Sequence, residues 1–316
     1  MEVGSKNPEI GTCSYKSYQF PLPVGGLTNK KIFLLKTPKT GGTTFAGILR
    51  RIADNYNLTT IYPVHGYSTF RKFSELEMAA DYFNITIDQI DVLCNHMYFN
   101  SEDISKILGP NYYKVGLFRD PISRGISGYY HSRSSTSFCP QFSYDRWAHE
   151  CIYFHNGLFA WYVDKSNPKS NYLKNIQQFD HIIVNEFFTE SLMVFMHKMN
   201  LRLTDLLYQS SKTQMKNLTE PLTQEQLDVL TSGIEQWNQL ESEIYHDVCD
   251  QLQKEYESLP DHYIMLRQIF EEMLEDVQNA CLKDPKNSKD CYWRDNGCAK
   301  TCIKNWVKEN VICNEP

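Results

Sequence analysis

Short apolar runs alternate along the chain with longer segments in which apolar residues recur at helical spacing. Four of the runs, each four to six residues long, predict buried strands at 32–35, 91–94, 113–118 and 181–184. This alternation is typical of an α/β domain with a mainly parallel central sheet flanked by helices. Because ligands of such folds bind at the carboxyl ends of the strands, the residues that directly follow each run are the first candidates for a functional site.

The second half of the chain predicts long helices. Thr223 and Gln226 have the spacing of a capping box, and apolar residues then recur at helical spacing as far as Leu252, with Trp237 among them. This pattern predicts one core-facing amphipathic helix and not a cofactor site. A second helix is predicted from near Pro260 to about Ala280.

Cysteine spacing and periodicity set the predicted domain division. Five of the ten cysteines lie in residues 281–316, without the paired C-x-x-C knuckles of a structural zinc site. Disulfides and an oxidising compartment are therefore expected, with the reduced cysteines of a cytosolic protein as the alternative. The odd number in this tail predicts a bridge to an upstream cysteine or a free thiol. We predict a stem or leader remnant at 1–28, one α/β domain at 29–280 and a helical, disulfide-rich tail at 281–316.

The chain as a whole is acidic. Its net charge of −6 and isoelectric point near 5.9 argue against general nucleic-acid or heparin-type binding. An anion site must therefore be a local basic pocket. The natural candidates for its cations are Lys36, Lys39, Arg119 and Arg124.

The segment after the first apolar run combines glycines, lysines and hydroxyls. Residues 36–44 run Lys-Thr-Pro-Lys-Thr-Gly-Gly-Thr-Thr, and a predicted helix follows. The first N–H groups of a helix lack intrahelical partners, glycines let the backbone approach an anion closely, and Lys39 adds positive charge. Lys39 precedes both glycines, so this is not a Walker A loop. The order resembles the 5′-phosphosulfate loop of sulfotransferases that use 3′-phosphoadenosine 5′-phosphosulfate (PAPS); a plain strand-to-helix turn is the alternative.

A second anion element follows the run 113–118. Arg119 stands at the end of this predicted strand, Pro121 suits the first turn of a helix, and Ser127 comes two helical turns later. A guanidinium offers a planar fork to phosphate oxygens, and a serine hydroxyl adds a short neutral donor. The eight-residue spacing of Arg119 and Ser127 resembles the 3′-phosphate element of the same sulfotransferases.

His96 closely follows the run 91–94 and stands just before an aromatic pair. Sulfuryl transfer from PAPS to a sugar hydroxyl needs a base for the acceptor proton and a cation near the bridging oxygen. A histidine near its ordinary pKa suits the first role, and Lys39 suits the second. A structural histidine bonded within the core is the alternative.

Four ordered motifs of the chain resemble the galactose-3-O-sulfotransferase family, which includes cerebroside sulfotransferase. Residues 93–100 resemble its histidine-containing segment, residues 179–192 its Phe-Asp…Glu-Ser-Leu block, residues 201–208 the next block, and the helix around Trp237 its C-terminal helix. The cysteine pattern of the tail is also similar, so the resemblance covers about residues 31–302.

The resemblance implies a single P-loop-like sulfotransferase domain that uses PAPS as co-substrate and no metal. His96 would be the catalytic base with assistance from Lys39, and Arg119 with Ser127 would hold the 3′-phosphate. Glu186 matches a family position, but no role follows for it, and a buried structural carboxylate is equally compatible. The residues that would hold the 5′-phosphosulfate are Lys36, Thr37, Lys39, Thr40, Gly41, Gly42, Thr43 and Thr44.

The family also implies an acceptor and a compartment. The acceptor would be a galactose hydroxyl, at the 3-position, of a glycolipid or glycan, and the enzyme would be an anchored protein of the Golgi lumen, with a homodimer as a possible state. Three N-x-[ST] sequons, at Asn57, Asn84 and Asn217, agree with a secretory lumen. The sequence has neither a signal peptide nor an apolar stretch long enough to span a membrane, so we expect that an N-terminal anchor is missing from it.

Two departures from the family pattern bear on the acceptor. Pro38 replaces the histidine that usually precedes the loop lysine, which leaves His65 or His131 to compensate. Tyr98 replaces the usual arginine, which favours a neutral galactoside over an acidic acceptor. The alternatives are a PAPS-dependent sulfotransferase acting on a glycosaminoglycan uronic acid, a non-catalytic glycan-binding protein on this fold, and a phosphoryl-transfer enzyme, for which a Walker A loop and an evident Mg²⁺ carboxylate pair are lacking.

Overall fold

In the computed structural model the protein is described for residues 11–64, 69–70, 72–97, 101–134, 139–151, 176–210, 221–281 and 299–314. None of the described helices is both long enough and apolar enough to cross a membrane. The strands are β1 (Thr12–Tyr15), β2 (Tyr18–Pro21), β3 (Ile32–Leu35), β4 (Thr69–Phe70), β5 (Val92–Leu93), β6 (His96–Met97), β7 (Tyr113–Phe118), β8 (His181–Val184) and β9 (Ile312–Asn314). The helices are α1 (Gly42–Asn55), α2 (Phe73–Tyr82), α3 (Ser101–Leu108), α4 (Pro121–Ser134), α5 (Tyr144–Glu150), α6 (Phe188–Met199), α7 (Gln224–Trp237), α8 (Gln239–Glu257), α9 (His262–Cys281) and α10 (Lys300–Asn310).

Four parallel strands form the central sheet, in the order β5-β3-β7-β8. The apolar runs predicted all of them: three strands have the predicted bounds, and the run 91–94 contracts to Val92–Leu93. Every residue of β3 is fully buried, as expected for a parallel sheet that is covered on both faces. The predicted α/β fold with a central parallel sheet flanked by helices is confirmed.

Alternate residues of β3 face two different hydrophobic cores. Ile32 and Leu34 pack with residues of α1, α6 and α9, whereas Phe33 and Leu35 pack with residues of α2, α3 and α8. The split follows from the alternation of side chains along a strand. The strands therefore end between two helical layers, and the segments that follow β3, β5, β7 and β8 emerge at the same edge of the sheet.

The predicted long helix after Thr223 is two helices, α7 and α8, so the prediction of a single helix was wrong. Thr223 begins α7 with the predicted capping box, in which its Oγ1 accepts a hydrogen bond from the Gln226 N–H at 3.3 Å. Asn238 ends α7, because its Nδ2 donates to the Ile234 carbonyl at 2.8 Å and its backbone leaves helical geometry. Trp237 beside it is 41% exposed, although the pattern placed it in the core. The second predicted helix is confirmed as α9.

A small antiparallel sheet, in the order β2-β1-β9, lies outside the predicted elements. Tyr15 of β1 and Phe20 of β2 are buried in the same core as α1. The sequence pattern indicated no strand in residues 1–28, where a stem is predicted, because these strands are short and one partner of β1 comes almost at the other end of the numbering. The predicted domain boundaries themselves stay predictions.

Disulfides tie the tail to the rest of the protein. Cys313 pairs with Cys13 of β1, which confirms the predicted bridge between the tail and an upstream cysteine. Cys291 and Cys298 lie outside the described residues. In the described part of the chain the bridges are Cys13–Cys313, Cys139–Cys151 and Cys281–Cys302.

Candidate active site

The anion loop, residues 36–44, connects β3 to α1 and is closed by its own threonines. Thr37 Oγ1 donates to the Leu117 carbonyl of β7 at 3.0 Å, and Thr40 Oγ1 donates to the Thr37 carbonyl at 2.9 Å. Both threonines are buried, so their hydroxyls bond to the protein backbone. These bonds fix the shape of the loop.

Close contacts require both loop glycines. Gly41 has a φ of +83°, and a Cβ atom there would lie 2.7 Å from Asn185 Oδ1. A Cβ atom on Gly42 would lie 2.7 Å from Cγ of Lys36, whose side chain is buried. Lys39 adopts the left-handed conformation with a φ of +65° and is partly buried. A larger residue at either glycine would displace Asn185 or Lys36.

The amino end of α1 has no side-chain cap. The helix begins at Gly42 without a hydrogen bond from a capping side chain and without an acidic residue in its first turn. Its first N–H groups have no intrahelical acceptor, and the helix dipole favours negative charge at this end. Thr43 and Thr44 stand in the same turn. All residues predicted to hold the 5′-phosphosulfate thus lie in the anion loop or at the start of α1.

His96 is attached to the anion loop. Its Nδ1 atom lies 2.7 Å from the Lys36 carbonyl oxygen, although the two residues are 60 positions apart. A carbonyl can only accept, so Nδ1 carries the proton and donates it, and Nε2 carries the lone pair of the neutral ring. The partly buried ring therefore has the tautomer that a general base needs at Nε2.

The structure adds Arg50 and Asn95 to the neighbourhood of His96. Arg50 of α1 is buried, and its Nη2 donates to Asn95 Oδ1 at 2.8 Å. The same guanidinium donates to Thr60 Oγ1 at 3.3 Å. These bonds hold the segment before His96 against α1. The signal in the sequence was an arginine at the buried spacing of an amphipathic helix, which alone does not indicate its partner.

A second group, here called the Arg119 cluster, comprises Arg119, Asp120, Glu186 and Tyr245. Arg119 Nη1 donates to the Lys39 carbonyl at 3.1 Å, and Arg119 Nε lies 3.6 Å from Glu186 Oε1. Glu186 Oε2 accepts hydrogen bonds from the Asp120 N–H at 3.2 Å and from the Tyr245 hydroxyl at 3.1 Å. Burial lowers the pKa of Arg119, and Glu186 opposes that shift. The cluster thus joins the end of β7 to the anion loop.

Arg124 and Ser127 both lie on α4, but the structure separates their roles. Arg124 is buried in an ion pair with Glu241 of α8, at 2.9 Å, and its Nη2 also lies 3.4 Å from Asn238 Oδ1. Its expected place among the cations of the pocket is therefore corrected, because its charge is balanced inside the protein. Ser127 is partly exposed in the second turn of α4, after Arg119.

Three residues remain from the expected acceptor site. His65 and Tyr98 lie outside the described residues. His131 lies in the last turn of α4 and is partly buried. Across the described ranges, no three side chains of His, Cys, Asp or Glu come together in a group that could hold a metal ion.

The fold and the site define a class of protein: a parallel α/β domain with a glycine-containing anion loop after one strand and an arginine after its neighbour. The family model of galactose-3-O-sulfotransferases matches residues 5–295, and the chain belongs to that family. The family resemblance of the sequence motifs is therefore confirmed.

Relatives with known names agree with this assignment. The chain is 22% identical to mouse galactose-3-O-sulfotransferase 2 over 68% of its own length and 59% of the relative. It is 25% identical to bovine galactosylceramide sulfotransferase over 68% of its length and 55% of the relative. It is also 25% identical to human galactose-3-O-sulfotransferase 3 over 60% of its length and 51% of the relative. The chain thus spans between half and three fifths of the length of these relatives.

Proposed function

We propose that the protein is a sulfotransferase that moves a sulfuryl group from PAPS to the 3-hydroxyl of a galactose in a glycolipid or glycan. One observation carries the proposal. The backbone carbonyls of the anion loop accept hydrogen bonds from both other candidate groups: His96 bonds to Lys36 and Arg119 bonds to Lys39. The candidate base, the 5′-phosphosulfate loop and the candidate 3′-phosphate arginine are therefore tied into one unit.

The co-substrate would bind across this unit. The uncapped amino end of α1, the loop N–H groups and Lys39 would hold the 5′-phosphosulfate, with Gly41 and Gly42 allowing its approach. Arg119 and Ser127 would hold the 3′-phosphate, and the planar guanidinium suits two phosphate oxygens. The bound co-substrate supplies the activated sulfuryl group, and no metal is needed for its transfer.

The chain's own groups would then move one proton and stabilise one charge. His96 Nε2 takes the proton of the acceptor hydroxyl while that oxygen forms its bond to sulfur. The bond between sulfur and the 5′-phosphate oxygen breaks on the opposite side, and adenosine 3′,5′-bisphosphate leaves. Lys39 stabilises the negative charge on the departing oxygen. The hydrogen bond from Nδ1 to Lys36 keeps the imidazolium oriented while it carries the extra proton.

The names of the relatives support the proposed acceptor, and the disulfides support the proposed compartment. Two of them are named for galactose and one for galactosylceramide, which supports a galactose-containing acceptor. The disulfides support an oxidising lumen, and the Golgi lumen fits such an enzyme. A membrane anchor and a homodimer stay part of this proposal.

The test is calorimetric titration with adenosine 3′,5′-bisphosphate and, in parallel, with 5′-AMP. We expect the bisphosphate to bind at least tenfold more tightly, because charged hydrogen bonds to its 3′-phosphate each contribute about 1.5–3 kcal/mol. Lys39→Ala should weaken both nucleotides, and Lys30→Ala, which removes an exposed lysine before β3, should weaken neither. Equal binding of the two nucleotides by folded wild-type protein would contradict the proposal. Sulfate transfer from PAPS to a galactoside array then identifies the acceptor.

A further inference from the structure

Glu186 is the member of the Arg119 cluster whose carboxylate contacts the other three, and the proposed function leaves it without a role. Its position follows from the sheet register: Phe118 of β7 pairs with Val184 of β8. Arg119 directly follows the first of these residues, and Glu186 follows the second by two positions. The two side chains therefore meet at the carboxyl edge of the sheet, where the nucleotide is proposed to bind.

The carboxylate of Glu186 contacts three groups from two segments. Oε1 lies 3.6 Å from Arg119 Nε, and Oε2 accepts from the Asp120 N–H and the Tyr245 hydroxyl. The first two groups belong to the turn that begins α4, and Tyr245 belongs to α8. Burial and the neighbouring carboxylate both raise the pKa of Tyr245, so its hydroxyl keeps the proton that it donates. One carboxylate thus fixes a side chain and the backbone beside it.

Arg119 is held at two ends and still has an unused donor. Nη1 is bonded to the Lys39 carbonyl, but the buried Nε has no hydrogen-bond partner among the described residues, because 3.6 Å to Glu186 is too long for one. A buried unpartnered donor is unfavourable, and a ligand oxygen is the partner that would satisfy it. The guanidinium therefore has a donor available to an anion, and the carboxylate of Glu186 restricts the orientation of the guanidinium before an anion binds.

We infer that Glu186 is a positioning residue that orients Arg119 and the start of α4 so that the site selects nucleotides with a 3′-phosphate. This inference rests on the proposed function. The negative charge of Glu186 would by itself repel the 3′-phosphate and weaken nucleotide binding. Glu186 can therefore favour binding only by orienting Arg119. Removing the charge of Glu186 should therefore weaken binding of the 3′-phosphate if Glu186 orients Arg119, and strengthen it if Glu186 only repels the phosphate.

The measurement is the ratio of the 5′-AMP dissociation constant to that of adenosine 3′,5′-bisphosphate, determined by calorimetry. Glu186→Gln replaces one carboxylate oxygen by an NH₂ group, which cannot accept a hydrogen bond. The variant therefore loses either the contact to Arg119 or the contacts to Asp120 and Tyr245. We expect the ratio to fall about tenfold, with 5′-AMP affinity unchanged. Tyr245→Phe keeps the ion pair and loses one donor to Oε2, so the ratio should fall about two- to threefold.

Glu190→Gln is the matched control. Glu190 stands four residues later, at the start of α6, and its carboxylate pairs with Arg267 of α9 at 3.0 Å. Loss of this pair should leave the ratio unchanged. An unchanged or higher ratio in folded Glu186→Gln overturns the inference while the proposed function stands; if that variant does not fold, an unchanged ratio in Tyr245→Phe overturns it. A wild-type ratio near one overturns both.

Discussion

The anion loop and the Arg119 cluster stand after neighbouring strands, yet they are built differently. The loop is closed by hydroxyl-to-carbonyl bonds and by glycine contacts, some within residues 36–44 and others to Leu117 and Asn185, and none of these contacts is an ion pair. The cluster combines Arg119 and Asp120, which follow β7, with Glu186, which follows β8, and Tyr245 of α8. The charged carboxylate of Glu186 connects them. The loop should therefore respond mainly to changes of shape, whereas the cluster should respond to changes of charge.

The largest expected effect comes from His96→Ala, at the side of the anion loop. Turnover should fall about 10²- to 10⁴-fold, because a general base is lost. Nucleotide affinity should persist, since the loop is closed by its own threonines. Steady-state sulfate transfer and calorimetry measure the two quantities.

The control for that prediction is His197→Ala, which removes a histidine of α6 that contacts Tyr263. It should retain turnover. Loss of nucleotide affinity in His96→Ala would instead mean that the bond from His96 to Lys36 supports the shape of the loop. It would contradict the expectation that the loop binds nucleotide without His96.

Arg124→Met tests a buried ion pair between α4 and α8, which lies outside the Arg119 cluster. It removes the guanidinium from the buried ion pair with Glu241, so the free energy of unfolding should fall by about 3–5 kcal/mol in urea denaturation. Arg146→Met breaks the exposed pair with Glu150 and should cost less than about 1 kcal/mol. A small loss of stability with a large loss of nucleotide affinity would return Arg124 to the pocket that the sequence suggested.

The free energy of unfolding should also fall in acid because of a histidine in β8, the strand that ends two residues before Glu186. His181 is buried, and burial lowers its pKa to about 4, with Lys198 contributing and the bond from Nε2 to the Ser191 carbonyl opposing. The unfolded chain binds the proton near pH 6.5, so stability is fully present above that pH and is lost as pH falls toward 4. The expected loss by pH 5 is about 2 kcal/mol.

Urea denaturation at pH 7.5 and pH 5 measures this loss. His181→Gln lacks the titrating ring, so its unfolding free energy should change less between the two pH values than that of the wild type. Identical pH dependence in both proteins would show that the acid sensitivity arises elsewhere.

The smallest expected effect is that of Thr40→Val in the anion loop. It removes the hydroxyl that donates to the Thr37 carbonyl and should lower the free energy of unfolding by about 1 kcal/mol. Thr40→Ser keeps the hydroxyl, so its free energy of unfolding should fall less than that of Thr40→Val. Both nucleotides should weaken to the same extent in Thr40→Val, and a loss confined to the bisphosphate would contradict the division between loop and cluster.

The same division explains what the sequence could predict. The four central strands, the anion loop and the capping box at Thr223 each have a local sequence pattern, so they could be predicted although some of their contacts join distant residues. The ion pair of Arg124 with Glu241 joins residues 117 positions apart, and Glu186 meets Arg119 only after β7 and β8 have paired. A charged residue in a sequence indicates a cation or an anion, but its partner decides whether that charge is available to a ligand.

Two further features could not be predicted, because they also depend on contacts that the apolar pattern does not show. The side chain of Asn238 stops α7 through a bond to its own backbone, which apolar spacing does not register. Strands β1 and β2 are only four residues each, and β1 is completed by β9, so no local pattern marks the sheet.

The bond between Cys13 and Cys313 turns almost the whole numbered chain into a covalent ring, since the two cysteines are 300 positions apart. A protease that cuts such a ring once opens it without releasing a piece, so the nicked protein keeps its mass until a reductant is added. Because Cys13 and Cys313 face each other across paired strands, the two halves of a nicked molecule would also stay in register at that point. The resistance of this protein to fragmentation would therefore be a matter of chain topology as well as of folding free energy.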